Sequence, residues 1–225
     1  MNQERLRFYT NITHELRTPL TLILGPLEDM QKDTSLPTRQ AQKLSVIHLS
    51  ALRLLNLINQ ILEFRKTETQ NKKLCVCKGN IVPLIHEIGL KYKELNQKKA
   101  IDFQIQIEKE EMPLFFDKEI ITIILDNLIS NAIKYTEQGK ITLSLYPTTR
   151  NGVTYTEIKV SDTGYGISAE ALPHVFDRYY QESGKHQASG TGIGLALVRN
   201  LVELHEGEIR WKAYRTKEVL SISAY

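Results

Sequence analysis

A histidine, a carboxylate and a hydroxyl stand close together near the start of the chain, in the run His14-Glu15-Leu16-Arg17-Thr18-Pro19-Leu20. A neutral imidazole can attack an electrophile through one nitrogen if the other keeps its proton against an acceptor, and Glu15 is adjacent. Such a run taken alone leaves ligand, base, nucleophile and plain helical residue all open. Asn127, Asn131, Lys134 and Tyr135 recur at i, i+4, i+7 and i+8 and place a polar stripe on one helix face. Asparagine weakens a helix and adds nothing to a core. Amide oxygens suit a hard cation such as Mg²⁺, and an ammonium suits phosphate oxygens. A solvated helix face competes with this reading, and the apolar Leu128, Ile129 and Ile133 opposite weaken that competitor.

Two glycine runs follow. Asp162 precedes Gly164 and Gly166 just past an expected strand. A carboxylate there can accept a hydrogen bond from an exocyclic amine, as adenine offers, and the glycines permit close backbone approach. An ordinary turn is a real competitor. Gly190, Gly192 and Gly194 lead into an expected helix, where backbone N–H groups form an anion site. There is no Walker lysine and no βαβ unit around them, so neither a P-loop nor a dinucleotide fingerprint is present. Between the two runs, Pro173 to Tyr180 and the polar Gln181 to Ser189 read as a lid, with Phe176 and Tyr179 as its anchors.

The elements that position these groups fall into two sets. Residues 3 to 30 and 38 to 68 carry apolar residues at three- and four-residue steps and read as two helices in an antiparallel hairpin. Pro19 predicts a local kink about one turn after His14. The stripes (Leu16, Leu20, Ile23 and Leu27, then Leu44, Ile47, His48, Ala51, Leu54, Leu55, Ile58, Ile61 and Leu62) exceed what one hairpin can bury. A dimeric four-helix bundle is the economical solution, with packing on the rest of the chain as the alternative. Residues 69 to 75 read as a linker.

From residue 76 to 225 the pattern mixes strands and helices. Strands are expected at Leu74 to Val76, Ile101 to Ile107, Leu114 to Phe116, Ile141 to Tyr146, Val153 to Val160, Glu208 to Tyr214 and Glu218 to Ser223. Helices are expected at Ile81 to Asn96 behind an Asn80 N-cap, Lys118 to Thr136 behind Asp117, and Thr191 to His205. This describes an α/β domain with helices on one face of a mixed or antiparallel sheet.

Composition bounds the rest. A net charge of +3 over 225 residues, without basic clusters interleaved with aromatics, argues against nucleic acid as a direct partner. Cys75 and Cys77 are the only cysteines and form neither a CxxC pair nor half a zinc site, which fits a reducing, cytoplasmic setting. No apolar run is expected to span a membrane. The abrupt polar helical start suggests a segment of something longer.

These motifs, in this order, resemble the catalytic core of sensor histidine kinases of the class whose dimerisation domain bears an HExxT motif. The resemblance covers nearly the whole chain. It implies two domains: a dimeric helical hairpin (residues 1–68), then the ATP-binding α/β sandwich shared with gyrase, Hsp90 and MutL proteins, the Bergerat or GHKL fold (residues 76–225). It also implies site roles. His14 matches the phosphoacceptor, Glu15 its base, and Thr18 the position that orients water in dephosphorylation. Asn131 matches the Mg²⁺ ligand, with Asn127 nearby; Lys134 matches a phosphate contact, Tyr135 an aromatic contact and Asp162 the adenine-reading carboxylate. Gly164 and Gly166 match one glycine box, and Gly190, Gly192 and Gly194 the other.

The join around Phe64-Arg65-Lys66 and Asn80-Ile81-Val82-Pro83 resembles the kinase module of hybrid two-component regulators of Bacteroidetes. That likeness implies ATP and Mg²⁺ as cofactors, a homodimer, a receiver domain as partner, and the cytoplasmic part of an inner-membrane sensor. There are two departures. Gln181 stands where many members carry arginine, although Arg178 is present, and Tyr214 to Glu218 replaces a glycine-rich stretch. An ATP-gated clamp and a non-enzymatic dimerising adaptor are the competing readings. The clamp explains the second domain but leaves the His14 run without a role.

Overall fold

The computed structural model describes residues 2–32, 36–68, 73–96, 100–182, 191–214 and 217–224; for residues 2–15, 68, 212–214 and 217–224 it describes the backbone alone. The chain divides into two compact units, Met1–Lys72 and Lys73–Tyr225.

The first unit is a helical hairpin. α1 (Asn2–Gln31) runs through both Pro19 and Pro26, and α2 (Thr38–Glu68) returns beside it. Leu20, Leu24, Leu27, Ala51 and Ile58 form the shared core, with Leu44, Leu52 and Leu55 packed against it. Arg17 Nη2 donates to Asn59 Oδ1 at 2.6 Å and fixes the register one turn after His14. The stripe differs from the sequence expectation in places. Leu24 is buried, whereas Leu16, Ile23, Ile47 and Leu54 are exposed. A single partner helix covers only part of a wide apolar face. That same richness makes α2, over Thr38–Thr67, long and apolar enough by length and composition to cross a membrane.

The second unit carries a five-stranded mixed sheet in the order β2 (Ile101–Ile107), β4 (Gly139–Arg150), β5 (Val153–Asp162), β7 (Lys217–Ala224), β6 (Glu208–Tyr214). β2 pairs parallel with β4, and the other pairs are antiparallel. Asn151 and Gly152, both at positive φ, form the two-residue turn joining β4 to β5. β4 continues past Tyr146, where the sequence suggested an end before Pro147. The β2 ladder stops at Leu145, so at Pro147 the strand is paired on one side only and tolerates the missing N–H.

A two-stranded ribbon, β1 (Cys77–Asn80) with β3 (Pro113–Phe116), lies apart from this sheet. The first strand thus begins at Cys77, after the Leu74 to Val76 segment read as strand. The Cys75 N–H is instead bound to the Asp117 carboxylate.

Three helices carry the apolar side of the unit. α3 (Val82–Leu95) has proline in its first turn, and Asn80 Oδ1 accepts from Val82 N–H at 3.1 Å. Gly89 lets α3 sit on the sheet, because a Cβ there would lie 2.7 Å from Ile105 and 3.4 Å from Leu143. α4 (Lys118–Tyr135) is capped by Asp117, whose Oδ1 accepts from Ile120 N–H at 3.1 Å. α5 (Gly194–Leu204) begins three residues later than Thr191. Ile120, Leu125, Ile129, Ile141, Leu143, Leu145, Leu197 and Leu201 are fully buried between helices and sheet. Cutting Leu125 or Ile129 back to alanine would cost about 2–5 kcal/mol.

Candidate functional site

α4 supplies the amide face. Its register is held from α3, where the Tyr92 hydroxyl donates to Asp126 Oδ1 at 2.9 Å, one residue before Asn127. Burial, reinforced by that carboxylate, pushes the Tyr92 phenol well above its usual range. Asn127 is 7% exposed, and its Nδ2 donates to Ile123 O at 2.8 Å, which fixes the amide plane. Asn131 is half-buried on the same face. Lys134 Nζ donates to Tyr135 Oη at 3.0 Å and lies 4.6 Å from that ring's centroid, so these two expected ligand contacts are brought together. The stripe is therefore a partly enclosed polar face and not a solvated one.

The Asp162 loop docks on the end of this helix. Asp162 is the last residue of β5 rather than just past it, held between Ile141 of β4 and Glu218 of β7. It is 6% exposed, and Oδ1 accepts from Gly164 N–H at 2.8 Å and from Thr136 Oγ1 at 3.5 Å. Burial raises the Asp162 carboxyl above its ordinary value, and these two hydrogen bonds oppose the shift. Tyr165 N–H donates to Tyr135 O at 3.2 Å. A Cβ on Gly164 would collide with Tyr135 O and lie 2.9 Å from Asp162 Oδ1. Gly166 adopts φ +73°. These two glycines answer to two different demands, close approach at Gly164 and a left-handed turn at Gly166.

The second glycine run meets α4 at Asn127. Gly192 has φ +66°, and its carbonyl accepts from Tyr179 N–H at 2.9 Å. Gly194 opens α5, and a Cβ there would lie 2.9 Å from Asn127 Oδ1. Gly190 and residues 183–189 of the expected lid lie outside the described residues. At the lid's root Phe176 is buried, 4.7 Å from the Trp211 ring and 4.7 Å from the Arg199 guanidinium carbon. Tyr179 differs from expectation: it is 66% exposed and is held through its backbone. Arg178 is exposed.

In the hairpin, His14 and Glu15 lie on α1 where the backbone alone is described; Thr18 follows one turn later and is exposed.

Sequence reasoning missed Thr136, Trp211 and Arg199. A threonine at a helix end carries no signal about which carboxylate it meets 26 residues later. Trp211 and Arg199 read as strand and helix residues until the fold joins them at Phe176.

Among the described residues, no group of three His, Cys, Asp or Glu side chains could hold a metal ion unaided. The donor set around Asn127 and Asn131 is made of amides. It fits a Mg²⁺ carried on phosphate oxygens, because that ion keeps much of its shell from phosphates and water.

Residues 4–70 match the His Kinase A (phospho-acceptor) domain. Residues 116–221 match the histidine kinase-, DNA gyrase B- and HSP90-like ATPase family. The chain is 38% identical over 216 residues to histidine kinase P4 of Formosa agariphila, covering 93% of this chain and 16% of that protein. It is 33% identical over 213 residues to the sensor histidine kinase YcbM of Bacillus subtilis, covering 92% of this chain and 67% of that one. Full-length ShkA, solved in complex with AMPPNP, shares the fold with a TM-score of 0.77 at 24% identity, over 97% of this chain and 45% of ShkA. The chain belongs to the sensor histidine kinase family. It spans less than a quarter of the length of several curated relatives, among them the Formosa kinase (16%) and a Dictyostelium discoideum hybrid kinase (14%).

Proposed function

We propose that this chain is an ATP-dependent protein histidine kinase that phosphorylates His14 and passes the phosphoryl group to an aspartate of a receiver domain. The observation that carries the reading is the meeting, on the asparagine-bearing helix α4, of two glycine motifs far away in sequence. The Asn127 amide faces the start of α5, and the Asp162 loop is bonded to the helix's last turn. That arrangement offers a base-reading carboxylate at one end and backbone N–H groups at a helix start for phosphates at the other. The AMPPNP complex of ShkA supports a nucleotide in such a fold.

In this reading Asp162 reads the exocyclic amine, Lys134 and the α5 start bind phosphate oxygens, and Asn131 with Asn127 holds Mg²⁺. That ion's chemistry is to offset charge on the phosphates. One imidazole nitrogen of His14 attacks the γ-phosphorus while Glu15 accepts a hydrogen bond from the other; the new P–N bond forms as the β–γ bridging P–O bond breaks, and ADP leaves with that oxygen. The exposed Leu16, Ile23, Ile47 and Leu54 support a second hairpin as partner, giving the dimeric bundle. Thr18, one turn beyond His14, is suited to orient water for dephosphorylation of the receiver. In the whole protein this segment lies on the cytoplasmic side of a membrane sensor.

Incubation with γ-labelled MgATP tests the reading. It requires label on the protein that is lost in acid and retained in base; release of free phosphate with no labelled protein would favour an ATP-gated clamp instead.

A further inference from the structure

Thr136 ends α4 in an extended conformation, is 2% exposed, and keeps its own N–H on Ala132 O at 3.1 Å. Its side chain therefore leaves the helix at the point where the Asp162 loop docks. A hydroxyl buried this deeply needs a partner. It meets Asp162 Oδ1, the oxygen that also accepts from Gly164 N–H. The Gly164 N–H holds that oxygen at 2.8 Å and the Thr136 hydroxyl approaches it at 3.5 Å, so both bear on the facing of the group. Neither described bond ends on Oδ2.

We propose that Thr136 is a positioning residue for base recognition: its hydroxyl and the Gly164 N–H together lock Asp162 Oδ1, so that Oδ2 is presented to the exocyclic amine of adenine. This rests on the adenine-reading role given to Asp162 above. The Thr136 bond also opposes the raising effect of burial on that carboxyl. A plain helix-end role for Thr136 would stabilise α4 without touching base preference, so preference is the quantity to measure.

The experiment is equilibrium binding of adenosine and inosine triphosphates to the full chain and its Thr136 variants. Inosine carries a carbonyl where adenine carries the amine and cannot donate to Asp162 there. The wild type should prefer the adenosine nucleotide. Thr136→Val, isosteric without the hydroxyl, should narrow that preference about fivefold, less than the roughly tenfold at the low end for a hydrogen bond to a charged group, because the 3.5 Å contact is long. The narrowing should come from weaker adenosine triphosphate binding alone. Thr136→Ala, which adds no bulk, should narrow it likewise, and Thr136→Ser should keep it. The proposal is overturned if Val and Ala weaken both nucleotides equally, if they leave the preference unchanged, or if Ser loses it as they do. A wild type without preference would remove the adenine reading itself, a failure distinguishable from that of Thr136.

Discussion

A β-carbon at position 194 would sit 2.9 Å from the Asn127 side-chain oxygen, so the first residue of α5 and the amide of α4 occupy one shared space. Asn127 cannot turn away freely, because its Nδ2 is bonded to Ile123 O. Gly194 is not at positive φ, and alanine at a helix start would by itself gain up to about 1 kcal/mol over glycine. Gly194→Ala should therefore leave the thermal midpoint close to wild type while weakening MgATP binding on the order of tenfold, as expected for misplacing a ligand group by a fraction of an ångström. Calorimetric titration beside thermal melts separates the two; unchanged affinity would show that the Asn127 amide position does not matter to the nucleotide.

Gly192 makes the contrasting case. Its φ of +66° and the 2.6 Å approach of a Cβ to the Tyr179 backbone leave no flexible end to move. Gly192→Ala should cost at least about 1–2 kcal/mol of stability from the backbone conformation alone, and should also weaken nucleotide binding. Urea denaturation measures the first. A stability loss no larger than that of Gly194→Ala would contradict the distinction between the two glycines.

Asp162 gives a pH signature with a definite sign. Its carboxyl is raised in the folded state by burial, so the folded chain binds that proton more tightly than the unfolded chain. The group's contribution to stability is then greatest at low pH and falls as pH rises through the raised folded value. Asp162→Asn does not titrate, and its amide oxygen can still accept from Gly164 and Thr136. Its melting temperature should gain on the wild type as pH rises from the ordinary carboxylate range, then hold a constant lead above the raised value. The same variant should lose adenine nucleotide binding. Melting curves that stay parallel across roughly pH 4 to 8 would contradict the burial argument.

Asp117 joins three segments. Oδ1 caps α4 at Ile120, Oδ2 accepts from Cys75 N–H at 2.7 Å, and its own N–H donates to His205 Nε2 at 3.1 Å. Asp117→Ala should cost about 2–3 kcal/mol, a lost cap plus an abandoned N–H. Asp117→Asn should cost less, since its oxygen can still cap α4 while its NH₂ cannot accept from Cys75. Equal losses on urea denaturation would place the whole effect outside the cap.

The outline of the fold was legible in the sequence because its signals are local. The alternation of Ile101, Phe103, Ile105 and Ile107, the Asn151-Gly152 turn and the Asp117 cap each act within a few residues. Errors fell where distant partners decide. The ribbon partner of Cys77 is Phe116, so β1 lies past the apolar run at Leu74 to Val76. Ile23 fits a helical stripe yet is exposed, while Leu24 is buried, because the stripe is wider than one partner helix covers. The residue types of the candidate site were legible as polar and glycine motifs, whereas their couplings were not: nothing local links Thr136 to Asp162, Asn127 to Gly194, or Trp211 to Phe176.

In the proposed reaction His14 accepts the phosphoryl group from a nucleotide held on α4. The direct measurement compares the wild type with His14→Gln, reading both label incorporation from γ-labelled MgATP and equilibrium nucleotide binding. The wild type should carry acid-labile label, His14→Gln should carry none, and the two should bind nucleotide with nearly equal affinity. Label persisting on His14→Gln at the wild-type level would contradict that role for His14.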